Sequence, residues 1–134
     1  MEKMGNSICL DTDILVNFLR KEPLAVSWME ENRDKEIATT VVNIFELYYG
    51  AYASKLPQTK VRDVEKIIER VKVLNLSVES SKLAGNELAR LKKEGQMVEF
   101  RDMLIASVAL ENNLPLKTNS IKHFERIKGL NLVD

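Results

Sequence analysis

The chain has 134 residues, enough for one domain, and 45% of them are hydrophobic, enough to bury a core. Its twenty basic and twenty acidic residues cancel, which excludes a uniformly polycationic nucleic-acid binder but not a local basic patch. A single cysteine excludes an internal disulfide, one cysteine and one histidine make no zinc cluster, and no apolar run reaches the roughly 18 residues of a membrane span. The polar start MEKMGNS carries no signal-like apolar region, so the expectation is a soluble, cytoplasmic protein.

Ile8, Cys9 and Leu10 read as a buried strand over 7–10. Asp11 follows with no turn residue before it. Thr12 or Asp13 then caps a helix carrying Ile14, Leu15, Val16, Phe18 and Leu19. Pro23 opens a second short helix through Trp28, and the Thr-rich EIATT, 36–40, reads as a second strand. In VVNIFELYYGAYASKL, Val42, Phe45, Tyr49 and Tyr52 recur at helical spacing, while Asn43, Glu46 and Gly50 form another stripe; Pro57 is expected to end this helix. QTKVRDVEKIIERV is an amphipathic helix with Val61, Val64, Ile67, Ile68 and Val71 on one face.

KVLNLSV, 72–78, alternates as a strand does. ESSKLAGNELARLKKEG is a helix that Gly95 stops. RDMLIASVALENN has so little polar face that it belongs inside the molecule. LPLKT reads as a strand, NSIKHFERIKG as a helix closed by Gly129, and LNLVD as an edge strand. Strands alternating with helices imply a single α/β domain over 1–134, a three-layer sandwich with a mainly parallel central sheet flanked by helices. In such sheets sites lie beyond the carboxyl ends of the strands, and Asp11 stands just there.

Glu46, Asp102 and Glu99 also border apolar runs. A carboxylate taken from water costs several kcal/mol or takes up a proton, and several together repel unless a cation joins them. If Asp11, Glu46 and Asp102 meet, Mg²⁺ or Mn²⁺, which prefer oxygen ligands, resolves the conflict. Taken singly, Asp11 and Asp102 also suit the ends of their helices and Glu46 a solvated face. Glu79 and Glu87 are expected to lie outside any cluster.

LDTDILVNFL, ATTVVNIFELYYG and RDMLIASVALENNLPLKTNSIKHFERIKGLNLV together resemble the successive signatures of the PIN-domain family, and within it the VapC-type toxin ribonucleases. The resemblance runs from Ile8 to the C-terminus, with residues 55–95 adding only the order of elements. It implies metal-dependent cleavage of RNA by Asp11, Glu46 and Asp102, with Mg²⁺ or Mn²⁺ as cofactor. It places Thr12 and Thr118 as supports of the carboxylates. Asp13 stands where the family more often has Asn or Ser. At the family's fourth acidic position this chain has Asn119 and Ser120, so a second metal loses a ligand unless Glu99 bends inward. The resemblance also implies a small antitoxin partner and a homodimer. Tyr48, Tyr49, Tyr52 and Trp28 are candidates for a partner surface, and Arg20, Lys21, Lys92, Lys93, Arg101, Lys117 and Lys122 for RNA phosphates.

Two other classes fit parts of the pattern. A haloacid-dehalogenase-like phosphatase also begins with a strand and Asp-x-Asp, with Asp11 as nucleophile and Asp13 as acid, but it needs a later Lys and an acidic pair that LKTNS does not supply. A non-catalytic PIN-like RNA- or protein-binding module is supported only by Asn119 and Ser120.

Overall fold

The computed structural model describes residues 6–133. Its elements, in order, are β1 (Ser7–Leu10), α1 (Thr12–Leu19), α2 (Pro23–Glu31), β2 (Glu36–Thr40), α3 (Val41–Tyr52), α4 (Pro57–Arg70), β3 (Lys72–Leu74), α5 (Val78–Lys93), α6 (Phe100–Glu111), β4 (Leu116–Lys117), α7 (Ile121–Phe124) and β5 (Leu132–Val133). The five strands form one parallel sheet in the order β3-β2-β1-β4-β5. This is the expected α/β sandwich.

β1 is the central strand and every residue of it is buried. Successive side chains point to opposite faces. Ile8 and Leu10 pack with Ile14, Leu15, Ile44, Leu47, Val64 and Ile67 from α1, α3 and α4, while Cys9 joins Ala84, Leu91, Met103, Ile105 and Leu116 on the other face. Burial on both sides explains the unbroken apolar run of β1. α6 is buried along most of its length, as its composition requires.

Several boundaries differ from the sequence expectation, each for a local reason. α3 stops at Tyr52, and Pro57 opens α4 as its first residue, where its missing N–H costs nothing. β3 ends at Leu74, before the expected 78, because Ser77 caps α5: its hydroxyl takes the Ser80 N–H while Ser80 takes the Ser77 N–H. The helix expected over 119–129 is only α7; from Phe124 the chain tightens to an Ile127 N–H bond three residues back, then turns at Gly129 with φ +85°. Phe124 and Ile127 are nonetheless buried. On α3 the inward stripe is Asn43, Ile44, Leu47 and Ala51, whereas Phe45, Tyr49 and Tyr52 are exposed, so the aromatic periodicity marks the outer face and not the core.

Stepping outward from β1, β2 and β3 lie on one side and β4 and β5 on the other. The gap where connections diverge lies between β1 and β4, and the chain leaves both strands there with polar residues, Asp11 and Thr118.

Candidate active site

Asp11 leaves β1 with its backbone still in the sheet, its N–H bonding the Lys117 carbonyl at 2.9 Å. It is the N-cap of α1 and is only 7% exposed. Its Oδ1 accepts the Thr12 N–H at 2.8 Å and the Asn43 amide at 3.1 Å; its Oδ2 accepts the Thr118 hydroxyl at 2.7 Å. Burial nevertheless dominates and pushes its pKa up to about 6, with the charges of Asp13 and Glu46 adding to the rise and the Thr118 and Thr12 bonds opposing it.

Glu46 reaches this group from α3, one turn beyond Asn43. The Thr12 hydroxyl donates to Glu46 Oε1, and Asn43 Nδ2 donates to that hydroxyl at 2.9 Å. Asn43 has no exposed surface; its Oδ1 accepts the Thr40 N–H at 3.2 Å and the Thr40 hydroxyl at 2.8 Å. One buried amide therefore ties the end of β2 to Asp11 and Thr12. Asn43→Ala is expected to destabilise the fold by about 2 kcal/mol, measured by urea unfolding, because it strands buried partners on both sides.

Asp102 comes from the first turn of α6, where a helix favours negative charge. Its pKa is raised, mainly by burial, against which the neighbouring His123 acts. His123 Nδ1 lies 3.4 Å from Asp102 Oδ2, and Arg101 bridges Glu46 at 3.7 Å and Glu99 at 3.2 Å. Thr12 and Asn43 join Glu46 to Asp11, and Arg101, next to Asp102 in α6, reaches Glu46 from the other side. Glu79 is not part of these contacts, and Glu87 pairs with Arg90 and the Lys128 N–H elsewhere.

Asp13 is more deeply involved than its atypical residue type suggests. Its Oδ2 accepts the Asn119 N–H at 3.1 Å and the Ser120 hydroxyl at 3.2 Å, while its Oδ1 is buried with no hydrogen-bond partner. Asn119 and Ser120 thus hold an acid instead of replacing one. Thr118 takes the Ser120 N–H at 3.0 Å as it donates to Asp11. Glu99 stays at the rim, paired with Arg101. Asn43 and His123 escaped the sequence reading. The stripe shared by Asn43 and Glu46 was the available signal for the first, and the chain's only histidine for the second.

Among the described residues, no three His, Cys, Asp or Glu side chains are grouped tightly enough to hold an ion as they stand. Arg101 supplies positive charge beside Glu46 and Glu99. The donor chemistry still suits a hard divalent cation: it consists of oxygens, one carboxylate is buried at the cost of a raised pKa, and another carries an orphaned buried oxygen. Asp11 is a poor nucleophile here, since both oxygens are engaged and its side chain is buried.

A PIN domain family profile matches residues 8–130. Ribonuclease VapC2 of Haemophilus influenzae is 30% identical over 122 residues, which cover 90% of this chain and 92% of that protein. The tRNA(fMet)-specific endonuclease VapC of Shigella flexneri is 29% identical over 125 residues, 93% of this chain and 95% of the relative. The crystal structure of VapBC2 from Rickettsia felis bound to a DNA fragment from its promoter matches with a TM-score of 0.87 at 29% identity, covering 95% of this chain and 97% of that one.

Proposed function

We propose that this chain, which belongs to the PIN-domain family among its VapC-type members, is an endoribonuclease that uses a divalent cation, Mg²⁺ or Mn²⁺, at Asp11, Glu46 and Asp102. The observation that carries the proposal is the network of Thr12, Asn43 and Thr118 that joins Asp11 to Glu46, with α6 brought alongside by the Arg101 contact to Glu46, one residue before Asp102. Structural packing alone does not call for buried carboxylates whose burial raises their pKa.

Asp11, Glu46 and Asp102 are the residues that would hold the ion, with Asp13 beside them. When bound, the ion supplies charge stabilisation at the phosphorus and a more acidic water. The protein supplies the rest. Thr118, Thr12 and Asn43 fix Asp11 through its oxygens, so that its orientation is set before substrate arrives. Thr12 occupies one oxygen of Glu46 and leaves Oε2, which faces Arg101, to take the proton of the attacking water. The water oxygen bonds to phosphorus, the bond to one sugar oxygen breaks, and that oxygen leaves with a proton from solvent. Arg101, whose side chain is 40% exposed and lies 3.7 Å from Glu46, would have to exchange that contact for the ion.

That exchange gives a prediction of opposite signs. Arg101→Gln removes a competing cation, so the apparent affinity for Mn²⁺, read from thermal shifts, should tighten several-fold. RNA cleavage at saturating Mn²⁺ should not improve, since a cation near the phosphate is lost. Weaker Mn²⁺ binding in this variant would show that Arg101 supports the site instead of competing for it.

The partner expectation has support of its own. A groove beside Glu46 is lined by Val16, Leu19, Leu47, Ala51 and Val64, and the exposed Phe45, Tyr49 and Tyr52 lie on the same helix. A small antitoxin that covers this face would close the acidic region, and the VapBC assembly from Rickettsia felis supports such a partner. A homodimer belongs to the same proposal, with exposed Val78, Met97 and Phe100 as further apolar surface. No described helix is long and apolar enough to cross a membrane, in keeping with the proposed cytoplasmic setting. The test is cleavage of RNA, tRNA first in view of the Shigella flexneri relative, with Mg²⁺, Mn²⁺ or EDTA, beside a phosphomonoester. Cleavage of RNA alone, lost in EDTA, supports the proposal. Hydrolysis of the phosphomonoester alone overturns it.

A further inference from the structure

A groove of about 470 Å³ opens between α1, α2 and the segment that follows β4. Its wall holds the chain's only tryptophan, Trp28, half-buried on α2, with Lys117 Nζ 5.6 Å from the ring centroid. Asn17 and Asn119 also line it. Two of these residues are fastened to the acidic site through their backbones. The Lys117 carbonyl takes the Asp11 N–H at 2.9 Å, and the Asn119 N–H holds Asp13 Oδ2 at 3.1 Å. The groove therefore begins where the carboxylates end.

We propose that this groove is a base-binding subsite for the RNA strand. The proposal rests on the ribonuclease reading above. The base beside the phosphate to be cut stacks on Trp28, because every base offers a π-face to an aromatic ring. The amides of Asn17 and Asn119 each present a donor and an acceptor, which suits the edge of an unpaired base. Lys117 passes from the indole to the phosphate between base and carboxylates, exchanging a cation–π contact for an ion pair. Glu22 and Glu31 line the same groove. Glu22 is held by the Ala25 N–H at 2.9 Å. Their charges repel phosphate, so the base enters and its phosphate stays at the Lys117 end. Asn119 is uncharged and adds no further negative charge to the strand's path.

The single tryptophan makes the test direct. In the full-length Asp102→Asn chain, short oligoribonucleotides of each base are titrated while Trp28 emission and the anisotropy of labelled RNA are followed together. The expected result is saturable quenching that parallels RNA binding, stronger for some bases than others. Asn119→Ala, which keeps the backbone bond to Asp13, should weaken it several-fold. In the active chain, Trp28→Leu should raise KM roughly tenfold or change the bases flanking the cut, with Trp28→Phe rescuing in part. RNA binding by anisotropy with no change in Trp28 emission overturns the subsite. So does an unchanged KM and cutting pattern in Trp28→Leu, and either result leaves an active nuclease standing. Base-dependent quenching in a wild-type chain that cuts no RNA supports the groove and removes the nuclease reading. Quenching by an arginine-containing peptide but not by RNA assigns the groove to a protein partner and overturns the proposal.

Discussion

Asp102→Asn is expected to lower divalent-metal-dependent RNA cleavage at least roughly 10²-fold while leaving the melting curve nearly unchanged. The change is close to isosteric and removes one charge from the first turn of α6. Among the described residues, the side-chain partner Asp102 loses is the exposed His123, a surface contact worth less than about 1 kcal/mol. Asp13→Asn should be milder, because an amide oxygen can still accept from the Asn119 N–H and the Ser120 hydroxyl. Steady-state cleavage of a labelled RNA and circular-dichroism melts of both variants check this. The reverse ranking would point to Asp13 as the working acid, as the phosphatase-like alternative requires.

Asp11→Asn should weaken the dependence of stability on pH. The folded pKa of Asp11, about 6, lies above its usual 3.8. Below pH 4 both folded and unfolded chains carry the proton and the group has no effect. Between 4 and 6 only the folded chain holds it, and at pH 7 the folded chain bears a buried charge at a cost on the order of 3 kcal/mol. In EDTA the wild type should therefore gain stability as pH falls from 7 toward 5. Glu87 acts in the opposite direction but lower down: with its pKa held below 4.5 by Arg90, it loses its contribution only in more acid solution. Asp11→Asn should flatten the change between pH 7 and 5 and be at least as stable as wild type at pH 7 in EDTA. Millimolar Mn²⁺ should raise the wild-type melting temperature and raise that of the variant much less. Urea unfolding at pH 5, 6 and 7 would measure the first effect. An unchanged pH slope in the variant would show that Asp11 does not carry this cost.

The sheet was legible because β1 and its neighbours are written in local patterns: apolar runs of strand length, each followed by a helical period. Asp11 and Asp102 were legible for the same reason, as charges that interrupt such runs. Asn43 was not, since its meaning lies in Asp11 and Thr40, one of them 32 residues away, and a buried amide looks like any other polar residue on a stripe. The contacts of Asp13 were not legible because its partners are a backbone N–H and a hydroxyl from residues 119 and 120, which no local period announces. The aromatics of α3 misled in the other direction. Their spacing is helical, but period alone does not say which stripe faces inward. The short α7 shows the limit of spacing by three, which suits a tightened turn as well as a helix.

The bond from the Thr118 hydroxyl to Asp11 closes a loop of 107 residues, and β4, the neighbour of β1, is nearly the last strand to be made. Contacts so distant form late, after most of the chain has been ordered. During synthesis, an emerging chain that ends before residue 102 has two of its three acids but no α6, and one that ends before 118 leaves Asp11 without its hydroxyl and β1 without a flank. On the proposed function, a fragment released early by a stalled ribosome would be inert toward the RNA around it. The candidate site is completed only in a chain translated almost to its end, and the order of strands in the sheet delays it until then.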